Sequence, residues 1–181
     1  NPILIDRIQD SEGKTIFNND KRKCINCDQI SYLGKDYPII KDSYQTVFSH
    51  QTAYQMTSIL EGVVKRGTAK KIKDLKLNIA GKTGTTNKNT DTWFIGFTSN
   101  LLIGVYVGSD NPVPLGKYET GSKTALPIFK EFIKKVVKKS EARPFKAAGG
   151  TVMMVVDPIT GQKAKFTSKN TIIEVYKKEN V

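Results

Sequence analysis

Thr92 to Thr98 and Leu101 to Gly108 are two strand-like runs separated only by Ser99-Asn100. A two-residue connection joins strands as an antiparallel hairpin, so this stretch constrains the fold more than any other. Upstream, Leu75-Lys76-Leu77-Asn78-Ile79-Ala80 reads as strand and leads into Gly81-Lys82-Thr83-Gly84-Thr85-Thr86. The polar stretch Asn87-Lys88-Asn89-Thr90-Asp91 turns that strand back toward the hairpin. Together the three strands form an antiparallel meander. Gly96 and Gly104 lie inside it, where a glycine marks a bulge or a close backbone approach.

Two helices flank the meander. Ala53, Met56, Leu60, Val63 and Val64 recur at helical spacing and predict a helix from about Gln51 to Arg66. Ser49 is its expected N-cap and Gly67 its expected C-terminal cap glycine. Leu126, Phe129, Phe132, Ile133, Val136 and Val137 give one apolar face to a second helix, Ala125 to Lys138. A hairpin is expected at each end of the chain: residues 3–18, turning at Asp10-Ser11-Glu12-Gly13, and residues 152–176, turning at Asp157-Pro158-Ile159-Thr160-Gly161. Residues 18–47 read as a long irregular loop. Helices packed on an antiparallel sheet make this an α+β chain. Residues 1–139 are expected to form one structural portion, and residues 140–181 a Lys-, Ala- and Gly-rich linker with a terminal hairpin.

The chain has 181 residues and a formal net charge of +12, a balance that favours anionic partners. Its lysines are dispersed and its few arginines scattered, unlike a single-strand nucleic-acid groove, which interleaves basic and aromatic residues. No nucleic-acid partner is expected. No apolar run is long enough to span a bilayer. Asn1-Pro2-Ile3-Leu4-Ile5 reads as the middle of a strand with no initiator Met, so a piece of a longer protein is expected. Cys24 and Cys27 form a Cys-x-x-Cys pair, open to redox, zinc or disulfide readings. Zinc takes about four ligands, and His50 is the one histidine and stands far away in sequence. A local disulfide in an oxidising compartment is favoured over two idle thiols, and no metal or cofactor is expected.

Lys82-Thr83-Gly84-Thr85 carries the chemistry. Strand side chains alternate, so Thr83 and Thr85 share a face and Lys82 takes the other. Two hydroxyls and one ammonium suit a carboxylate. Gly84 leaves room for a substrate lying along the strand edge, and a strand edge offers fixed backbone N–H donors to a developing oxyanion. Lys-Thr-Gly alone recurs by chance in many strands. The longer run is specific: Ala53-Tyr54-Gln55-Met56-Thr57-Ser58-Ile59-Leu60-Glu61-Gly62, Arg66-Gly67-Thr68-Ala69, Ala80 to Asn87, Asp91-Thr92-Trp93-Phe94-Ile95-Gly96-Phe97 and Gly121-Ser122-Lys123-Thr124-Ala125. In these runs the chain resembles the C-terminal part of the transpeptidase domain of class A, bifunctional penicillin-binding proteins of the 1A type.

That resemblance implies a partial penicillin-binding, serine β-lactamase-like fold and serine D,D-transpeptidation of peptidoglycan stem peptides. It implies covalent reaction with β-lactams. It also implies a parent protein with a glycosyltransferase domain and an N-terminal membrane anchor, on the periplasmic face of the inner membrane. Carried over, Lys82 tends the nucleophile and the substrate carboxylate, Thr83 and Thr85 bind that carboxylate, and the Thr85 N–H is an oxyanion donor. Trp93 and Phe94 are expected in the core and cleft wall. Two further matches mislead. Ser11-Glu12-Gly13-Lys14 fits Ser-x-x-Lys but falls on a turn, whereas the chemistry needs lysine one helical turn from serine. Ser109-Asp110-Asn111 fits Ser-x-Asn but follows the Lys-Thr-Gly strand. No nucleophile is therefore expected within these residues. The alternatives are a non-catalytic basic module that binds an anionic polymer, and a β-lactamase or carboxypeptidase of the same fold. The long match from Ala53 to Ala69 argues against the last.

Overall fold

The computed structural model describes residues 3–22, 24–25, 39–40, 46–138, 140 and 142–181. The chain divides into two compact units, Asn1–Val47 and Phe48–Val181. In the first, β1 (Arg7–Gln9) pairs antiparallel with β2 (Thr15–Asn18), with an irregularity between Ile8 and Gln9. Asp10 organises the turn: its Oδ1 accepts from the amides of Glu12 and Lys14. Gly13 takes a φ of 82°, a left-handed conformation that glycine adopts without strain. Within the segment expected to be irregular, β3 (Cys24–Ile25) pairs with β4 (Ile39–Ile40). Cys27, and with it the Cys24–Cys27 pairing, lies outside the described residues.

The second unit opens with α1 (His50–Lys65). Ser49 caps it as expected, its Oγ accepting from the Thr52 amide at 3.2 Å. Its C-terminus differs from expectation. Gly67 is not in the left-handed region. A Cβ there would lie 2.9 Å from Val63 Cα, so glycine is required by the tight approach of the departing chain. The apolar stripe of α1 is only partly used. Val64 is buried and Val63 packs beside it, whereas Ala53 and Met56 are exposed, so the core reaches the C-terminal part of the stripe.

Lys70–Leu75 forms a 3-10 helix that Lys76 closes in a left-handed conformation, so the strand expected from Leu75 begins only at Ala80. The chain then enters β5 (Ala80–Thr85), followed by β6 (Thr92–Phe97) and β7 (Leu102–Val107). The sheet order is β5-β6-β7, antiparallel with unbroken register, so neither Gly96 nor Gly104 makes a bulge. Ser99-Asn100 is a tight turn closed by the Thr98 amide on the Leu101 carbonyl. Gly96 serves close approach: a Cβ there would meet the rings of Phe94 at 2.6 Å and Phe129 at 2.8 Å.

α2 (Ala125–Val136) covers β6 and β7. Leu126, Phe129 and Ile133 are buried, and Phe129 meets Phe94 edge-to-face at 4.7 Å. Phe132 and Val136, expected on the same face, are exposed. Phe132 sits one residue off the i, i+3, i+7 stripe that Leu126, Phe129 and Ile133 define, and Val136 is the last residue of α2. Lys130 ties α2 to the 3-10 helix, its Nζ donating to the Lys71 carbonyl and to Asp74, whose carboxyl is held below its usual range by that bond. The chain ends with β8 (Thr151–Val156) paired to β9 (Ile172–Lys177). β9 packs on α1, where Gln55 donates to the Val175 carbonyl and Arg66 pairs with Glu174. Helices packed on antiparallel strands make the fold α+β, as the sequence predicts.

Candidate active site

Register decides what each residue of β5 can do. Directly opposed residues of an antiparallel pair share a face. Thr83 opposes Phe94 and Thr85 opposes Thr92, so both threonines lie on the side of the sheet that carries the buried Phe94 and Thr92. Lys82 opposes Ile95 and Gly84 opposes Trp93, on the outer face. The expected division of faces therefore holds. β5 is also an edge strand of its sheet.

Each hydroxyl has a partner from a distant part of the chain. Thr83 Oγ1 lies 2.9 Å from Thr68 Oγ1. Thr85 Oγ1 accepts from the Gly121 amide at 3.1 Å, which leaves the Thr85 O–H proton free to donate elsewhere. Lys82 is exposed, and its Nζ bends back to the Thr83 carbonyl oxygen at 2.8 Å. The ammonium thus stays beside the threonines, although its Cβ leaves the strand on the other face.

The segment before α2 locks this geometry. A Cβ on Gly121 would fall 2.6 Å from the Gly84 carbonyl oxygen and 2.4 Å from that of Trp93. The 120–124 segment can therefore rest on the β5–β6 backbone only because residue 121 has no side chain. Thr124 fixes the same segment, its Oγ1 bonding Thr92 Oγ1 at 2.6 Å and the Thr120 carbonyl at 3.0 Å.

At the far end of β5, Thr86 and Asp91 close the loop. The Thr86 amide donates to the Asp91 carbonyl, and Thr86 Oγ1 accepts from the Asp91 amide. The Asp91 carboxylate also accepts from the Tyr106 hydroxyl at 2.7 Å, which pushes that phenol above its usual range. Tyr106 in turn lies against Trp93, with ring centroids 4.8 Å apart. Trp93 is exposed on the outer face, while Phe94 alone is the expected core residue.

The two serine motifs fall where the sequence suggests. Ser11 sits in the β1–β2 turn and Ser109 in the loop after β7, both exposed and neither on a helix. Thr68, Gly121 and Asp91 are the positions the sequence left without a role. All three belong to the extended runs quoted above, but only tertiary contact shows what they touch. Among the described residues, no helix is long and apolar enough to cross a membrane, and no cluster of His, Cys, Asp and Glu could hold a metal.

Residues 27–134 match the family described as penicillin binding protein transpeptidase domain. The chain is similar to penicillin-binding protein 1A of Rickettsia felis, 39% identical over 183 residues, covering 99% of this chain and 23% of that protein. It is 37% identical to penicillin-binding protein 1A of Pseudomonas aeruginosa over 75% of this chain and 17% of that one. Its fold matches the crystal structure of penicillin-binding protein 1A from Haemophilus influenzae with a TM-score of 0.63 and 29% identity, covering 97% of this chain and 29% of that one. The chain thus spans about a quarter of the length of the relatives that it matches over nearly all of its own.

Proposed function

This chain belongs to the penicillin-binding protein transpeptidase family, and from that membership we propose that it supplies one wall of a D,D-transpeptidase cleft that cross-links peptidoglycan. The observation that carries the reading is the edge strand β5, where Lys82, Thr83 and Thr85 are grouped with donors free to meet an anion. The Lys82 ammonium and the Thr83 and Thr85 hydroxyls hold the terminal carboxylate of the stem peptide. Gly84 leaves space for the peptide backbone, and the Thr85 N–H stabilises the oxyanion. β-Lactams carry a carboxylate in the corresponding place and compete for the same contacts.

In this reading a serine of the same protein, outside these 181 residues, attacks the carbonyl carbon of the penultimate D-Ala. The bond to the terminal D-Ala breaks, and that D-Ala leaves as the amine after taking up a proton. An amine of a neighbouring stem then attacks the acyl ester, forms the new amide and returns the serine. Residues 1–139 belong to the transpeptidase domain, and 140–181 are a linker and terminal hairpin. The whole protein carries a glycosyltransferase domain and is membrane-anchored on the periplasmic face.

A fluorescent penicillin tests this. The full-length protein is expected to label stoichiometrically, and Lys82→Ala is expected to slow acylation by roughly a hundredfold or more. Residues 1–181 alone are expected to stay unlabelled. Stoichiometric labelling of that piece at Ser11 would sink the reading.

A further inference from the structure

Thr68 stands outside the Lys-Thr-Gly-Thr stretch, yet its hydroxyl is 2.9 Å from that of Thr83. An exposed threonine beside a strand normally samples several rotamers and positions. Here the backbone allows little freedom. The amides of Gly67 and Ala69 both donate to the Val63 carbonyl, at 3.0 and 3.1 Å. Ala69 is fully buried, and Gly67 lies too close to Val63 to carry a side chain. Thr68 is therefore clamped between two fixed neighbours and held over Thr83.

Proton counting gives the pair a direction. Two hydroxyls in contact own two protons and use one between their oxygens. Only one of them can then donate outward. If Thr83 is to donate to a carboxylate, its oxygen must accept, and Thr68 must be the donor. A hydroxyl that accepts one hydrogen bond becomes a better donor in the next. Lys82 Nζ on the Thr83 carbonyl keeps positive charge beside the pair and favours an anion as the outer partner.

We propose that Thr68 is a positioning residue for carboxylate recognition: it donates to Thr83 and commits the Thr83 proton to the carboxylate of the stem peptide or β-lactam. The proposal rests on the transpeptidase reading above.

The test compares acylation of the full-length protein by benzylpenicillin and by its methyl ester, which has the same ring but no carboxylate. Thr68→Val removes the hydroxyl and keeps the shape. It is expected to lower the second-order acylation rate with the free acid roughly three- to tenfold, the size of one net hydrogen bond, and to leave the ester rate unchanged. Thr68→Ser is expected to restore the free-acid rate. Equal losses on acid and ester would show that Thr68 merely supports the fold, and no loss on either would show that it does nothing; both overturn the proposal. If the wild type fails to react, or if Thr83→Val reacts as well as wild type, the transpeptidase reading falls first and takes this inference with it.

Discussion

Two hairpins in this chain carry a serine or threonine motif with a lysine, and they are built in opposite ways. The β1–β2 hairpin holds Ser11 and Lys14 on a turn whose side-chain hydrogen bonds come from its neighbours Gln9 and Asp10. Both of its strands are exposed throughout, with Ile16 and Phe17 in solvent. The β5–β6 hairpin holds Lys82 to Thr85 on a strand whose two threonines share a face with the buried Phe94, which packs on Phe129. Its hydroxyls meet partners 15 and 36 residues away in sequence. A motif becomes a site when groups remote in sequence fix where its atoms lie, because catalysis depends on groups already held in position. A turn that organises only itself cannot supply that.

The largest effect that separates the two is in packing. Phe129→Ala removes a fully buried ring that packs on Phe94 of β6 and is expected to cost about 3–5 kcal/mol. Phe17→Ala, at a solvent-exposed ring, is expected to stay within about 0.5 kcal/mol. Urea unfolding, read with hydrogen exchange of the β6 amides, measures both. Comparable losses would break the contrast, since the position of β5 could not then be credited to the core that its sheet packs on.

A smaller effect probes the contact between β5 and the segment before α2. Gly121→Ala puts a methyl within 2.4 Å of the Trp93 carbonyl oxygen. Such overpacking is expected to cost about 1–3 kcal/mol and to lift the Gly121 amide away from Thr85. At Gly149 a Cβ would meet nothing within 4 Å, so Gly149→Ala serves as the matched control with no expected loss. Penicillin acylation of the full-length protein should fall for the first variant and hold for the second. If both behave alike, the contact at Gly121 does not set the geometry of Thr85.

Much of this arrangement was legible in the sequence. Ser99-Asn100 forced β6 and β7 into one hairpin, and alternation put Thr83 and Thr85 on one face. The N-cap at Ser49 followed from local chemistry. What could not be read depends on distance. Leu75 to Ile79 alternates like a strand, but Lys76 turns left-handed after a 3-10 helix whose Ile72 and Leu75 are buried in the core. The stripe on α1 is periodic at Met56, yet periodicity does not say which turns find a partner. Thr68 and Gly121 carry no local signature, since each matters only through a contact made by the fold. Gly67 was visible as a special position for the wrong reason: its constraint is steric approach to Val63, not backbone handedness.

The smallest expected effect is the one that bears most directly on the false motif. Ser11 takes no part in the hydrogen bonds that shape its own turn: Asp10 Oδ1 accepts from the Glu12 and Lys14 amides, Gln9 Nε2 donates to the Gly13 carbonyl, and the main chains of Asp10, Gly13 and Lys14 close the rest. Ser11→Ala is therefore expected to leave penicillin acylation of the full-length protein unchanged and stability within about 0.5 kcal/mol. Asp10→Ala strips two acceptor contacts from the same turn and is expected to loosen it by about 1 kcal/mol, seen as faster exchange of the Lys14 amide, again without touching acylation. The pair of variants divides the turn into a residue that shapes it and a residue that only completes a pattern. Loss of acylation in Ser11→Ala would reverse that division and give the exposed hairpin the role assigned to the one packed on the core.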